Sequence, residues 1–453
     1  MVESSTRSVR YATAGLAALA ALALGAAAAC SSSQDATPGR VCTPGNYVYC
    51  RCVDRSEGTK LCHADGQGFD ACQCDGVGGG IDPGGYDPDA GLGSGPLMPV
   101  DPGPPPSGPS IDNLCTGKLG IVAGSNADLD AYVATYAGGG VFTVSKSTGP
   151  GLRGRVQVLP VNGSLVAVYL SRFSLIAWTK LAAGTWSAPI SVGSAQAVSD
   201  SAATLHNGLL RLVYLGQDAS YHMGTYGGSG WDDATALAGA SADAGAAIGG
   251  KSPPAVATAG SSMALLFTAQ DGSLYRELFS GSWSSFTKMA SDAYSVPPAV
   301  VGLEGSGAKD MLAVYSDASL TLRAMTRESS NKAWNTAVVV DTAAESIEMS
   351  LAPLPSGGAL LVYLASNDKP YVSVWSPGSG FSAPAELVPG KNPELAAAPS
   401  LARGQCGSEL TLAYAEKNGG AVKVMRYAAA AWTGPFDVGG IANASWVGVG
   451  EMP

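Results

Sequence analysis

The side chains able to do chemistry are few and scattered. Arg153, Arg155, Arg172, Arg211, Arg276, Arg323 and Arg327 supply guanidinium groups, but their spacing carries no signature of a three-arginine clamp. Only 3 His serve 453 residues, so His-based catalysis and His-rich metal sites are thinly supplied. There is no G-x-S-x-G elbow, no H-E-x-x-H pair and no phosphate-binding Gly loop. His206 and His222 sit in one repeat without a partnering Cys, Asp or Glu motif, and read as hydrogen-bonded strand or turn residues. No metal and no cofactor is called for. Trp186, Trp231, Trp283, Trp334 and Trp432 recur, and a recurring large ring is first a packing element.

The elements that hold these residues repeat. Residues 253–296 read as four short strands: Pro254–Ala259, Ala264–Gln270, Ser273–Phe279 and Trp283–Met289. Asp271-Gly272 between the second and third predicts a type I′ hairpin turn, which needs positive φ at both central residues. The apolar second segment recurs as Tyr132–Tyr136, Leu165–Leu170, Leu210–Leu215, Leu312–Ser316, Leu360–Leu364 and Leu410–Tyr414. Unbroken apolar runs suit strands buried on both faces, and these are expected to be the inner strands of propeller blades. A closing aromatic follows at Trp186, Trp231, Trp283, Trp334, Phe381 and Trp432, at intervals of 45, 52, 51, 47 and 51 residues. The pattern predicts an all-β protein: a seven-bladed β-propeller of four-stranded antiparallel blades over 113–453, with six blades as the alternative. The first unit lacks a closing aromatic, and Ala444–Gly450 is a lone strand, so the C-terminal strand is expected to complete the first blade and close the ring. Cys115 and Cys406 are left over at that seam, where a disulfide would lock a very large loop.

Composition sets the surroundings. Charged residues make up only 14%, with 60 Gly and 28 Pro, which favours a turn-rich β body. The net charge is −10 and no Lys/Arg cluster stands out, so a nucleic-acid partner is disfavoured. Residues 1–29 form an export signal, with Arg7 and Arg10 ahead of an Ala/Leu run. Residues 30–41 are a polar tether. Cys42, Cys50, Cys52, Cys62, Cys72 and Cys74 lie within 42–75, a span too short for a core of its own, and predict three disulfides. Fifteen pairings are possible, and Cys50–Cys52 and Cys72–Cys74 are too close to bridge without strain. A zinc site helped by His63 is the rival reading. Residues 76–112 are a Gly/Pro-rich linker that cannot bury enough apolar surface to fold.

Several segments resemble known families. Ala27-Ala28-Ala29-Cys30 followed by Ser31 resembles a bacterial lipoprotein signal, which implies lipidation of Cys30, a membrane anchor and an outer-membrane address in the cell envelope. The CTPG start and C-x-C steps resemble Cys-rich modules of myxobacterial surface lipoproteins. Asp271-Gly272-Ser273 with Trp283 resembles the Asp-box of sialidase-like propellers, with fragments at Asp218-Ala219-Ser220 and Asp317-Ala318-Ser319. Ser273–Trp283 (SLYRELFSGSW) resembles blades of fucose-binding propeller lectins. That likeness implies an Arg and a Glu of one blade gripping sugar hydroxyls while an aromatic ring stacks on the sugar. Glu277 holds the Glu position and Arg211, one repeat earlier, the Arg position; no repeat carries both. Arg211, Trp231, Glu277 and Trp283 are therefore the ligand-binding candidates. The irregular segments Ala234–Lys251, Arg327–Lys332 and Ala343–Met349 are the other places where a site is expected. Together these readings imply an exported, lipid-anchored, monomeric surface protein that binds a glycan or an envelope protein. A sialidase-like hydrolase, with two carboxylates and an Arg cluster at one mouth of the channel, and a structural envelope component are the alternatives.

Overall fold

A computed structural model describes residues 47–51, 57–61, 63–64, 69–70, 73–74, 116–125, 130–232, 235–237, 250–305, 307–342, 348–405 and 409–452. The export signal, Cys30, the tether and the linker lie outside the described residues, as do Cys42, Cys52, Cys62, Cys72, Cys115 and Cys406. The chain divides into two compact units, Met1–Asp101 and Pro102–Pro453.

The first unit holds an antiparallel sheet of Tyr47–Arg51, Glu57–Leu61 and Gln73–Cys74. Its register sets Cys50 opposite Gly58 on one side and Cys74 opposite the same Gly58 on the other. Two strand spacings, about 10 Å, then separate Cys50 from Cys74. His63 Nε2 lies 3.0 Å from Asp70 Oδ1.

The second unit is a ring of seven antiparallel sheets, with strands named a to d from the channel outward. Blade 1 is Ala444–Glu451, Leu119–Ser125, Ala131–Gly138 and Val141–Lys146. Blades 2 to 7 follow in chain order over 152–196, 202–236, 255–290, 299–341, 348–386 and 400–437. In blades 2 and 6 the outermost strand is broken in two. The C-terminal strand does close the ring, and it enters blade 1 at the channel edge.

The unbroken apolar runs are not the innermost strands. They are strand b in six blades, with buried faces on both sides, as in Ser164–Ser171 and Ala359–Leu364. Strand b is sandwiched between neighbouring blades and has no polar side to show. Strand a lines the channel and alternates, as in Leu152–Val161 and Ala299–Gly302. In blade 1 the run Tyr132–Tyr136 falls on strand c; its strand b is Leu119–Ser125, whose glycines weaken the apolar signal. The inner strands of neighbouring blades approach closely. A Cβ on Gly302 of blade 5 would stand 1.9 Å from the Thr258 carbonyl of blade 4.

The Asp271-Gly272 turn is not type I′. Gly272 takes φ 75° but Asp271 does not take a positive φ. Instead Asp271 Oδ1 accepts the Ser273 N–H at 2.9 Å and Ala269 N–H donates to the Ser273 carbonyl at 2.9 Å. The same Asx turn recurs where Asp218 caps Ser220, Asp317 caps Ser319 and Asn367 caps Lys369. The Asp-box-like fragments are turn chemistry, repeated blade by blade.

Candidate functional site

Strand alternation decides which side chains meet. In a blade, successive residues of strands b and c point to opposite seams. Leu210, Leu212 and Tyr214 of blade 3 pack toward blade 2, while Val213 and Leu215 pack toward blade 4. Arg211 therefore points toward blade 4. On strand c of blade 4, Tyr275 packs toward blade 3, and Glu277 and Phe279 share its face. The Arg211 guanidinium lies 5.4 Å from the Phe279 ring centroid. The Arg and Glu positions of one blade face different seams, so the two groups converge from successive blades. The expectation that one repeat must carry both is corrected by this alternation.

Around Phe279, four side chains leave polar atoms without partners. Arg211 Nη1 donates to Thr225 Oγ1, but Nε has no acceptor. Glu277 is 0% exposed, and neither carboxyl oxygen is bonded. Burial pushes the Glu277 carboxyl up to about 8, so at neutral pH it is chiefly protonated, with one hydroxyl donor and open acceptor capacity. His206, 1% exposed, places Nε2 at 2.9 Å from the Ser261 carbonyl, which requires Nε2 to donate and leaves Nδ1 as an unpaired acceptor. Trp283 packs against Phe279 with ring centroids 5.1 Å apart and planes tilted by 53°, and its buried Nε1–H is also unpaired. His206 meets Phe279 edge-on at 5.4 Å. Unpaired buried polar atoms are rare and each costs about 1–3 kcal/mol, so five at one seam mark a place built to bond something else.

The rest of the ring shows what the seam looks like without these groups. In the seam between blades 6 and 7, strand register puts Leu354, Leu360 and Met425 where His206, Arg211 and Glu277 stand. All three are buried in one apolar cluster. The ring pair persists there as Tyr427 on Trp432, also at 5.1 Å. The closing aromatics are thus scaffold everywhere. Trp231, named with the candidates from sequence, packs between blades 2 and 3 on Trp178 and Tyr226, away from Arg211 and Glu277. Thr225 and Phe279 escaped the sequence reading, and His206 was read there only as a hydrogen-bonded strand or turn residue; alternation around Glu277 was the available signal for Phe279, and none marked His206 as part of the site. His222 lies elsewhere, 3.1 Å from both Asp218 oxygens and stacked on Tyr214.

The central channel is a cavity of about 1070 Å³ lined by the inner strands. At the mouth where strands a begin, Arg155 reaches across from blade 2 to blade 6. Its Nη1 donates to the Met349 carbonyl at 3.3 Å, and Nη2 lies 3.7 Å from Glu348 Oε2. Asp200 sits against the Gly154–Arg155 backbone, and burial raises its carboxyl pKa despite the nearby Arg155 and Arg153 charges. A Cβ at Gly154, whose φ is 129°, would meet Asp200 Oδ1 at 1.9 Å. Glu348 Oε2 accepts the Ala398 N–H at 2.6 Å. At the other end Arg403 Nη1 reaches Glu304 Oε2 at 2.9 Å, joining blade 7 to blade 5. Among the described residues no group of three or more His, Cys, Asp and Glu is placed to hold a metal ion.

No family model and no curated protein matches the chain. Among solved structures it is similar to the BP39L lectin of Burkholderia pseudomallei, with 14% identity and a TM-score of 0.51 over 71% of this chain and 99% of that one. A six-bladed fucose-recognising lectin of Aleuria aurantia matches at 12% identity and TM-score 0.48, over 63% of this chain and 96% of its own. AofleA of Arthrobotrys oligospora matches at 15% and 0.48, over 67% and 91%. At 14% identity the likeness to BP39L is one of fold, the β-propeller. The fold and the site define a seven-bladed propeller with a polar seam between blades 3 and 4.

Proposed function

We propose that the protein is a carbohydrate-binding propeller, and that the seam between blades 3 and 4 is its ligand site. The observation that carries this reading is the set of unpaired polar atoms of His206, Arg211 and Trp283 against the Phe279 ring, with those of Glu277 on the same strand face two residues away. Two donors, a neutral acid and an open imidazole acceptor suit vicinal hydroxyls, which both donate and accept. The half-buried Trp283 ring supplies a surface for the apolar face of a sugar. The fucose recognition that belongs to the Aleuria lectin makes fucosides the first sugars to try. Export, lipidation at Cys30, an outer-membrane address and a monomeric state belong to the same proposal, and rest on residues 1–30 and on the lipoprotein likeness.

The test is a glycan array probed with the exported chain, residues 31–453, beside Arg211→Met and Glu277→Gln. Saturable binding to defined sugars, lost in both folded variants, supports the site. Silence across the array, or binding that survives both changes, overturns it.

A hydrolase is the second reading, favoured by Asp200 and Glu348 beside Arg155 at one channel mouth. Against it, Glu348 already accepts a backbone amide of blade 7 and Asp200 that of Arg155. Turnover of chromogenic glycosides that disappears in Asp200→Asn would establish it.

A further inference from the structure

Strand c of blade 4 serves two seams. While Tyr275, Glu277 and Phe279 face blade 3, Leu274 and Leu278 pack against blade 5, and Arg276 between them points the same way. Arg327 enters that seam from blade 5, on the face that carries Met325 and beside Trp334. Arg327 is 0% exposed; its Nε and Nη2 donate to the two Asp310 oxygens at 2.7 and 2.9 Å. Lys332 Nζ donates to the same carboxylate at 2.5 Å, and Lys309 pairs with Glu328. Arg327 Nη1 is buried with no acceptor, and Trp334 Nε1 is likewise unpaired. Arg276 has no carboxylate among the described residues; burial first, and then the Arg327 charge, disfavour its ionised form.

Among the described residues, Arg276, Arg327 and Lys332 therefore stand around the single carboxylate of Asp310, in a chain whose net charge is −10; Arg323, on the same face of blade 5, is already paired with Asp317. Two surplus charges in a partly buried place are costly unless an anion answers them. A guanidinium with one bonded fork and one free N–H is shaped for an oxyanion. The central cavity reaches the cluster, since Asp310, Ser329 and Lys332 form part of its wall. Residues 327–332 also belong to a segment that breaks the repeat.

We infer that the seam between blades 4 and 5 is an oxyanion site, taking a carboxylate or a sulfate group through Arg276 and the free edge of Arg327. The ligand class is an acidic saccharide, uronate or sulfate ester, or the free anion. This site is independent of the seam between blades 3 and 4, and either can fail without the other.

The experiment is thermal melting and calorimetric titration of the exported chain with sodium sulfate, sodium glucuronate and, at matched ionic strength, sodium chloride. Methyl glucoside is the neutral control. Saturable binding of sulfate or glucuronate, accompanied by a rise in Tm that chloride does not give, is expected. Arg276→Gln is expected to weaken it at least tenfold, and Lys288→Gln, which removes an exposed cation from the same blade, to leave it unchanged. A response to sulfate alone, or to glucuronate alone, supports the site and assigns its group. Equal shifts with chloride, a response to methyl glucoside matching glucuronate, or wild-type affinity in Arg276→Gln overturn it. The wild-type comparison of sulfate with chloride decides the matter even if the variant does not fold.

Discussion

Two seams of one ring share their strand pairing and a pair of rings but surround those rings with different groups. Between blades 6 and 7, Leu354, Leu360 and Met425 close the space around the Tyr427–Trp432 ring pair. Between blades 3 and 4, His206, Arg211 and Glu277 take those places around Phe279–Trp283. The backbone pairing is the same in both. The propeller therefore tolerates a polar seam because its other seams carry the stability. Each fully buried Leu or Met side chain is worth about 1.5–3 kcal/mol relative to exposure, whereas unpaired buried polar atoms subtract. The polar seam costs stability, and a site that binds a ligand is the simplest reason to keep it.

The comparison can be broken by exchanging single residues. Leu360→Arg puts an uncompensated guanidinium into the apolar seam, with Met425 where a carboxyl would be needed. It is expected to cost roughly 4–5 kcal/mol, among the largest effects a point change produces, and calorimetric unfolding will show it. The reverse exchange sharpens the contrast. Arg211→Leu with Glu277→Met makes the seam of blades 3 and 4 resemble its apolar counterpart, and is expected to raise stability by about 1–4 kcal/mol while abolishing sugar binding. A fall in stability would mean that the polar groups support one another in the free protein.

Glu277 gives a pH signature that its apolar counterpart Met425 cannot. Burial holds its pKa up to about 8, above the ordinary value near 4.5, so the folded chain keeps a proton that the unfolded chain has lost. Stability should then fall as pH rises from about 4.5 to about 8, by at most roughly 1.4 kcal/mol per pH unit from this group. Above that range its contribution is constant. Glu277→Gln is expected to flatten this slope in denaturant titrations at several pH values; an unchanged slope would place the proton elsewhere. The smallest effect is expected at the channel. Arg403→Gln breaks an ion pair whose partners are 49% and 68% exposed, and should cost less than about 1 kcal/mol, diminishing further in high salt.

Much of the fold was legible before any coordinates. Asp218, Asp271, Asp317 and Asn367 announce turns because a short carboxyl or amide side chain caps the chain two residues on, a purely local event. Runs such as LVAVYL and LLVYL announce strands covered on both faces. Their assignment to the channel edge failed because periodicity reports burial and not radial order. Tyr132–Tyr136 misled for a similar reason, since Gly120 and Gly124 blunt the apolar signal of the true strand b. The cost of fitting Gly120 beside Leu165 and Trp186 appears only once the neighbouring blade is in place. Glu277 and Arg211 were visible as candidates, yet their partnership was hidden because strand alternation sends the two positions of one blade to opposite seams.

By itself, then, the sequence determined what depends on neighbours along the chain, the repeat and the places where the chain turns; it also pointed to seven blades, with six as the alternative, and to the C-terminal strand that closes the ring. Only the tertiary structure decided which side chains share a seam. Arg211 and Glu277, like Arg276 and Arg327, come from different blades, and they face one seam because the ring brings the forward face of one blade against the backward face of the next. What a seam can bind is a property of that contact between faces, and no stretch of chain contains it.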